Sequence, residues 1–159
     1  MRNSRLLLAA LLVGFSATAA AAEDVASGNV SVNVNFAART SLKVSSHLLQ
    51  FDVTQAGATA TAAIDFTAGA RMPSGSDLVL TVEPLRSIDG PGGAADVETD
   101  LSFSGEGAGL MAGALSSSAH AVVGRWQGSG LRTGRVVFKL RANAAGSYSL
   151  PVRFVLSTP

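Results

Sequence analysis

The amino-acid sequence predicts an all-β protein, a single Ig-like antiparallel β-sandwich of about seven to eight strands. Three observations support this prediction. Segments in which apolar and polar residues alternate recur along the chain, and a period of two places one set on the buried face of a strand. Turns rich in glycine, proline and serine separate these segments. After residue 22, no segment has the apolar spacing and capping residues of an amphipathic helix.

The longest alternation covers residues 30–44. At about 3.3 Å per residue, one strand of this length would extend roughly 50 Å, against about 17–20 Å for an ordinary strand. We therefore expect a bend at residues 37–39, which separates an N-terminal segment, 29–36, from a continuation at 40–44. The heavier side chains of the N-terminal segment all belong to its apolar set, namely Val30, Val32, Val34 and Phe36.

The remaining strands are predicted in order along the chain. The alternation changes phase between residues 44 and 49, which indicates a turn or a bulge at 45–47. Pro84 is expected to end one strand, and the glycine-rich stretch within 88–98 predicts a surface loop. The predicted strands after residue 45 cover residues 49–53, 58–66, 78–82, 101–103, 119–126, 136–140 and 148–156. Their number and short connections favour a sandwich over a closed barrel.

The first 22 residues have the features of a secretory signal peptide. Arg2 and Arg5 form a positive start, residues 6–15 are apolar, and Ala20-Ala21-Ala22 provides a cleavage site of small residues. We expect the remaining residues, 23–159, to form one domain, because about 137 residues suit a single core. No later segment is apolar for long enough to span a membrane. The predicted location is therefore secreted, in the periplasm or at a cell surface.

Charge and cysteine content exclude several classes of partner and site. The whole chain has a net charge of +1, but removing Arg2 and Arg5 leaves ten of the twelve basic residues against eleven acidic ones, a net of −1. Without a block of like charge, the sequence does not favour nucleic acid or an anionic membrane as partner. The chain has no cysteine, which excludes disulfides and thiol chemistry. The Ala- and Gly-rich, cysteine-free composition favours a bacterial source.

The sequence offers little catalytic material, and we expect no enzyme activity, cofactor or metal. His47 and His120 lie far apart and have no ligand spacing, so each is expected to be structural or exposed. Ser129 lies between two glycines but lacks the flanking pattern of a nucleophile elbow, and is expected to serve in a turn.

Several carboxylates also lie close together in sequence. Asp96, Glu98 and Asp100 would share one strand face, and with Asp89 nearby they could supply the convergent oxygens that calcium favours. The favoured interpretation is a solvated loop and strand start, whose charge resists pairing with another sheet edge.

One aromatic residue has several basic neighbours in sequence. Arg125, Arg132, Arg135 and Arg141 surround Trp126, an arrangement that could stack on a sugar ring or receive an anion. The alternative is a tryptophan that packs in the core, with the arginines on the outer face of a sheet. Trp126, Arg125, Arg132 and Arg135 are therefore the candidate ligand-binding residues.

The N-terminal segment 29–36 allows two interpretations. It could be the first strand of a self-contained sandwich. It could also be donated to the sheet of another subunit, where backbone hydrogen bonds give affinity and alternate side chains fill pockets. Repeated head-to-tail, such a contact forms a filament. Val30, Val32, Val34 and Phe36 are the candidate residues for strand addition.

The leader, the alternating segment that contains Val30, Val32, Val34 and Phe36, and a closing strand at 146–154 together resemble subunits of chaperone–usher fimbriae and related secreted pilin-like proteins. The resemblance implies self-assembly or protein partners. We therefore predict a secreted, non-enzymatic structural or adhesive surface protein. The alternative function is a glycan- or anion-binding β-sandwich module that uses Trp126 and its neighbouring arginines.

Overall fold

A computed structural model describes residues 38–91, 99–116 and 119–159 of the chain. These residues form strands joined by turns and contain no helix, so the described part also has no helix that could cross a membrane. The candidates for strand addition, Val30, Val32, Val34 and Phe36, lie outside the described residues. The strands are β1 (Arg39–Val44), β2 (Leu48–Val53), β3 (Thr59–Arg71), β4 (Asp77–Pro84), β5 (Thr99–Glu106), β6 (Ala112–Ala114), β7 (Ala121–Gln127), β8 (Gly130–Ala142) and β9 (Gly146–Ser157).

The nine strands form two antiparallel sheets. One sheet has five strands in the order β1-β3-β8-β5-β6, and the other has four in the order β2-β9-β4-β7. Every strand pair in both sheets is antiparallel. The predicted all-β class and antiparallel sandwich are therefore confirmed. The short β6, with three residues, brings the count to nine, slightly above the predicted seven to eight.

The strand order is that of a jelly roll. From β2 onward the chain passes from one sheet to the other at every connection except β5–β6, and β2 pairs with β9 while β3 pairs with β8. This nested pairing is the double Greek key of jelly-roll sandwiches. An immunoglobulin domain has the same two-sheet architecture but joins its strands in another order. β1 extends the five-stranded sheet beside β3.

Apolar side chains from both inner faces form the core. Leu78, Leu80 and Val82 alternate inward from β4 and are fully buried. Phe138, also fully buried, contacts Phe103 and Phe154 with ring centroids 6.4 and 6.5 Å apart. These tilted and edge-on arrangements are the ones aromatic pairs prefer. Among the described residues no polar or charged side chain is buried, so core stability depends on apolar packing and backbone ladders.

The predicted phase change at residues 45–47 is the crossing between the two sheets. β1 ends at Val44 in the five-stranded sheet, and β2 begins at Leu48 in the four-stranded sheet. The Ser46 hydroxyl accepts a hydrogen bond from the Leu48 amide at 3.0 Å and so fixes the turn. The change of phase arises because the apolar residues of β1 and β2 face the same core from opposite sheets.

The two strand prolines lie next to each other. Pro84 ends β4, as predicted, and pairs with Val152 of β9. Pro151 lies on the outward set of β9, which is an interior strand between β2 and β4. The missing amide is tolerated because Pro151 lies beyond the last paired residue of β4, where its carbonyl accepts a hydrogen bond from Leu85.

Candidate functional site

Trp126 lies in the core. Its side chain is 9% exposed, and its ring is tilted against Phe66 with the centroids 6.0 Å apart. The indole N–H donates a hydrogen bond to the Ala108 carbonyl at 2.7 Å, which ties the ring to the loop after β5. The alternative interpretation of Trp126 as a packing residue is therefore the one observed. Its ring faces contact protein and do not form an exposed platform for a sugar.

The arginines near Trp126 in sequence are not gathered around it. Arg125 is exposed on the outer face of the four-stranded sheet, opposite Val79. Arg132 donates to the carbonyls of Leu131 and Gln127 and so closes the β7–β8 turn. Arg135 and Arg141 lie on the outer face of the five-stranded sheet. Because the β7–β8 connection crosses between sheets, neighbours in sequence face opposite sides of the sandwich.

Arg135 forms an ion pair with Asp65 on the neighbouring strand. Its Nε and one terminal nitrogen donate to the two carboxylate oxygens at 2.7 and 3.3 Å. The hydrogen bond from Arg135 lowers the pKa of the Asp65 carboxyl below its usual range, and the same bond raises the pKa of Arg135. Both side chains are exposed. This guanidinium already has a carboxylate partner, which makes Arg135 a poor ligand-binding residue.

The carboxylates considered for calcium do not form a cluster among the described residues. Asp100 is exposed on β5, and Asp89 pairs with Arg86 at 2.7 Å, while Asp96 and Glu98 lie outside the described residues. No group of three or more potential metal ligands occurs in the described part of the chain.

The hydroxyl of Ser129 accepts a hydrogen bond from the Met72 amide and donates one to the Met72 carbonyl. This is the turn role expected of Ser129.

A cationic concavity lies at one end of the five-stranded sheet, where β1, β3 and β8 run side by side. It has a volume of about 510 Å³ and opens to solvent. Its lining residues are Arg39, Thr40, Ser41, Gly69, Ala70, Arg71, Gly130 and Leu131. The pairing of the strands explains why these residues line one concavity. Arg39 lies directly opposite Arg71, and Gly69 lies between Ser41 on β1 and Leu131 on β8. We call this feature the Arg39–Arg71 concavity.

The floor of the Arg39–Arg71 concavity is bare backbone. A Cβ atom on Gly69 would lie 2.7 Å from the Ser41 hydroxyl oxygen and 3.8 Å from a Leu131 methyl, so any side chain here would fill the space between them. Leu131 forms one wall and is 68% exposed, the most exposed large apolar side chain in the described part of the chain. The concavity thus combines a backbone floor, a hydroxyl and an apolar wall with two guanidinium groups.

Among the described residues, the two arginines of the concavity have no carboxylate counter-ion. Among the described residues, no carboxylate forms a salt bridge with Arg39 or Arg71, and neither guanidinium donates a hydrogen bond to the protein. Like charges directly opposite each other on paired strands destabilise the pair, and both side chains are exposed. The arrangement leaves two planar donor groups free to bind an anion.

The outer faces of the two sheets differ in charge. In the described residues, the outer face of the five-stranded sheet has twice as many basic as acidic side chains, whereas that of the four-stranded sheet has more acidic than basic ones. On the five-stranded sheet these residues are Arg39, Lys43, Arg71, Arg135, Lys139 and Arg141 against Asp65, Asp100 and Glu106. On the four-stranded sheet they are Arg125 and Arg153 against Asp52, Asp77 and Glu83. The Arg39–Arg71 concavity therefore lies on the more positive face.

The four-stranded sheet has a polar depression of its own, with a volume of about 320 Å³. Its two carboxylates already have partners, because Asp52 accepts a hydrogen bond from the Ser147 hydroxyl at 2.7 Å and Asp89 pairs with Arg86. Asp89 is neutralised by Arg86 and Asp52 keeps a single charge, so this depression has no pair of opposed like charges, and the Arg39–Arg71 concavity is the stronger candidate for a binding site.

The sequence interpretation missed both arginines of the concavity. The alternation predicts a bend at 37–39 that includes Arg39, whereas β1 begins at this residue. The alternation at residues 30–44 does predict that Arg39, Ser41 and Lys43 lie on one polar face of a strand, because all three belong to its polar set. The pairing of Arg39 with Arg71 depends on the register between β1 and β3, which no local pattern specifies.

Comparisons with known proteins leave the family open. No protein-family model matches the chain, and no curated protein matches it. Among solved structures, one similar chain is that of TmCBM61 in complex with β-1,4-galactotriose, which is 12% identical to this chain. The alignment covers 77% of this chain and 88% of that one, with a TM-score of 0.26. A likeness at this level assigns neither a ligand nor a family.

Proposed function

We propose that the protein is a non-enzymatic β-sandwich module that binds an anionic ligand in the Arg39–Arg71 concavity. The single observation that carries the proposal is the pair of directly opposed arginines without a carboxylate partner among the described residues. Their mutual repulsion costs stability in the unliganded protein, and a carboxylate, sulfate or phosphate between them would remove that cost. Arginine suits this role because its planar donors match the geometry of such anions.

The chemistry of the lining supports binding over catalysis. The residues of the concavity are arginine, serine, threonine, leucine, alanine and glycine, and they include no histidine or carboxylate that could act as a general base. A hydroxyl without an adjacent base is a hydrogen-bonding group and not an activated nucleophile. Together with the predicted signal peptide, this lining supports a role as a secreted binding or adhesive protein in the periplasm or at the cell surface.

Replacing either arginine tests the proposed function. Arg39→Gln and Arg71→Gln are each expected to weaken binding of glucuronate, sulfate or phosphate by about tenfold or more, the value of a charge-assisted hydrogen bond. The measurement is isothermal titration calorimetry at low salt. Arg125→Gln is the matched control, because it removes the same exposed charge from the other sheet.

The same variants also separate binding from folding. Each is expected to leave the thermal stability of the unliganded protein unchanged or slightly higher, because it relieves the repulsion between the opposed arginines. If both variants bind these anions as tightly as Arg125→Gln does, the proposed function is wrong.

Assembly by strand addition is a second candidate function, supported by the completeness of the sandwich. The eight strands of the jelly roll, β2 to β9, all lie between residues 48 and 157, and β1 adds a ninth. The fold therefore does not need residues 29–36 to supply one of these strands. This leaves Val30, Val32, Val34 and Phe36 available to pair with an edge strand of a neighbouring subunit, whose own sandwich is equally complete.

Deleting residues 23–36 from the secreted chain tests this second candidate. We expect the shortened protein to stay folded, with a cooperative thermal transition close to that of the full-length chain, and to lose self-association in analytical ultracentrifugation. The control replaces Val32 and Val34 with threonine, which keeps the length and β-propensity but reduces the apolar character. A shortened protein that no longer folds would show instead that the segment belongs to its own sandwich.

A further inference from the structure

The positive charge of the concavity continues along the edge strand β1. Lys43 lies on the same face of β1 as Arg39 and four residues further on, which at about 3.3 Å per residue is a separation of roughly 13 Å. Like Arg39 and Arg71, Lys43 is exposed and has no salt bridge among the described residues. We define the cationic stripe as Arg39, Arg71 and Lys43.

A second, smaller depression surrounds Lys43. Its volume is about 210 Å³, and it is lined by Lys43, Val44, Ser45, Asp65, Phe66 and Thr67. It follows the Arg39–Arg71 concavity along the outer face of the same two strands, since Lys43 pairs with Thr67 and Ser41 with Gly69. Asp65 contributes a carboxylate here, but Arg135 holds both of its oxygens. The net charge available to a ligand at this depression is therefore that of Lys43.

We infer that the ligand is a linear acidic oligosaccharide that lies along β1, with one acidic group between Arg39 and Arg71 and a later one at Lys43. The inference rests on the proposed function and specifies its ligand. A single phosphate or uronate cannot contact both ends of the cationic stripe, because they are roughly 13 Å apart. Two depressions in line on one sheet face instead fit a chain of several units.

The surface between the charges favours a sugar chain. Ser41, Thr67 and Thr133 place hydroxyl groups on the outer face of neighbouring strands, and hydroxyls can both donate to and accept from the hydroxyls of a sugar. Leu131 offers an apolar wall against which the C–H face of a sugar ring can pack, and Gly69 lets the ring approach the backbone.

The same surface does not suit a nucleic acid. Single-stranded nucleic acids are held by aromatic side chains on which bases stack, and neither depression has an exposed aromatic residue in its lining. A nucleic acid strand also carries a negative charge about every 3.4 Å in helical form. The cationic stripe is far sparser, with roughly 13 Å between Arg39 and Lys43 along β1. The protein surface has few positive charges, and neutral hydroxyl groups lie between them. Such a surface matches an acidic glycan better than a nucleic acid.

Dependence of affinity on ligand length tests the inference. Linear galacturonate oligomers of one, two, four and six units, and sulfated dextran oligomers of the same lengths, are titrated into the full secreted chain and its Lys43→Gln variant. For the wild type, we expect the affinity for a four-unit oligomer to be about threefold or more higher than for a single unit in at least one of the two series. One additional exposed ion pair contributes about this much to binding. Lys43→Gln is expected to bind the single unit as the wild type does but to lose this increase.

Lys139→Gln is the matched control, because Lys139 is exposed on the outer face of the same sheet but lies on β8, opposite Thr61 and away from the stripe. It should retain the length dependence. Methyl-esterified galacturonate oligomers should bind at least tenfold more weakly than the acidic ones, because they cannot form charge-assisted hydrogen bonds with the arginines.

The outcomes distinguish this inference from the proposed function. If Lys43→Gln binds the longest oligomers of both series as the wild type does, while Arg39→Gln binds all of them weakly, the site takes a single anion and the extended glycan is wrong. If Arg39→Gln and Arg71→Gln bind every probe as the wild type does, the proposed function is also wrong. Tighter binding of a single-stranded oligonucleotide than of any glycan probe of equal charge would overturn the inference in favour of nucleic acid.

Discussion

Replacing Trp126 with alanine is expected to lower the free energy of unfolding by about 3–5 kcal/mol, the usual range for removing a large aromatic side chain from a core. The indole is 9% exposed, packs against Phe66, and donates its N–H to the Ala108 carbonyl. Its loss would leave a cavity between the two sheets and remove the hydrogen bond that ties the ring to Ala108. At the upper end of this range, the change would remove a large part of the stability of a domain of this size.

Urea denaturation of the wild type and the variant measures this effect. Trp126→Phe keeps most of the packing but cannot donate to Ala108, so we expect an intermediate loss of about 1–3 kcal/mol. Arg125→Ala is the neighbouring control, and it should change stability by no more than about 0.5 kcal/mol because its side chain is exposed and unpaired in the described structure. A Trp126→Ala protein with unchanged stability and weakened glycan binding would contradict the structural role and restore the exposed-platform interpretation.

The alternation along the strands was sufficient to predict the inner faces of the sandwich. In the predicted strand 148–156 the alternation puts Tyr148, Leu150, Val152 and Phe154 on one apolar set, and all four are buried in β9. This succeeds because side-chain direction in a strand alternates with a period of two regardless of what the strand pairs with. A local pattern is therefore enough to identify the buried face.

The candidate site could not be predicted because it depends on contacts between distant parts of the chain. Arg125 and Arg135 are close in sequence but lie on different sheets, because the chain crosses the sandwich between β7 and β8. Arg39 and Arg71 are distant in sequence, yet the register of β1 and β3 places them directly opposite each other. Register and sheet assignment follow from non-local pairing, and a shift of one residue would turn the arginines toward the core.

Gly124→Ala is expected to lower the free energy of unfolding by about 1–3 kcal/mol, the cost of overpacking a filled core. A methyl group at this position would overlap the six-membered ring of Trp126, with its Cζ2 atom 2.8 Å away, and would lie 3.0 Å from a Leu110 methyl. The indole cannot easily move aside, because its N–H is bonded to Ala108. The backbone of Gly124 is held as well, since it pairs with Leu80 of β4 and bridges to Leu110.

A double-mutant cycle shows whether Trp126 is the cause of this cost. If the indole alone fills the space beside Gly124, the effect of Gly124→Ala should fall to less than about 0.5 kcal/mol in the Trp126→Ala protein, because the methyl group then enters a cavity. Gly69→Ala is the control, since it is also a strand glycine and its added methyl group would meet a serine hydroxyl that can rotate away. An equal cost of Gly124→Ala with and without Trp126 would place the clash elsewhere, at Leu110 or in the backbone of β7. A cost that disappears would show that Gly124 and Trp126, two residues apart on the same face of β7, are fitted to each other.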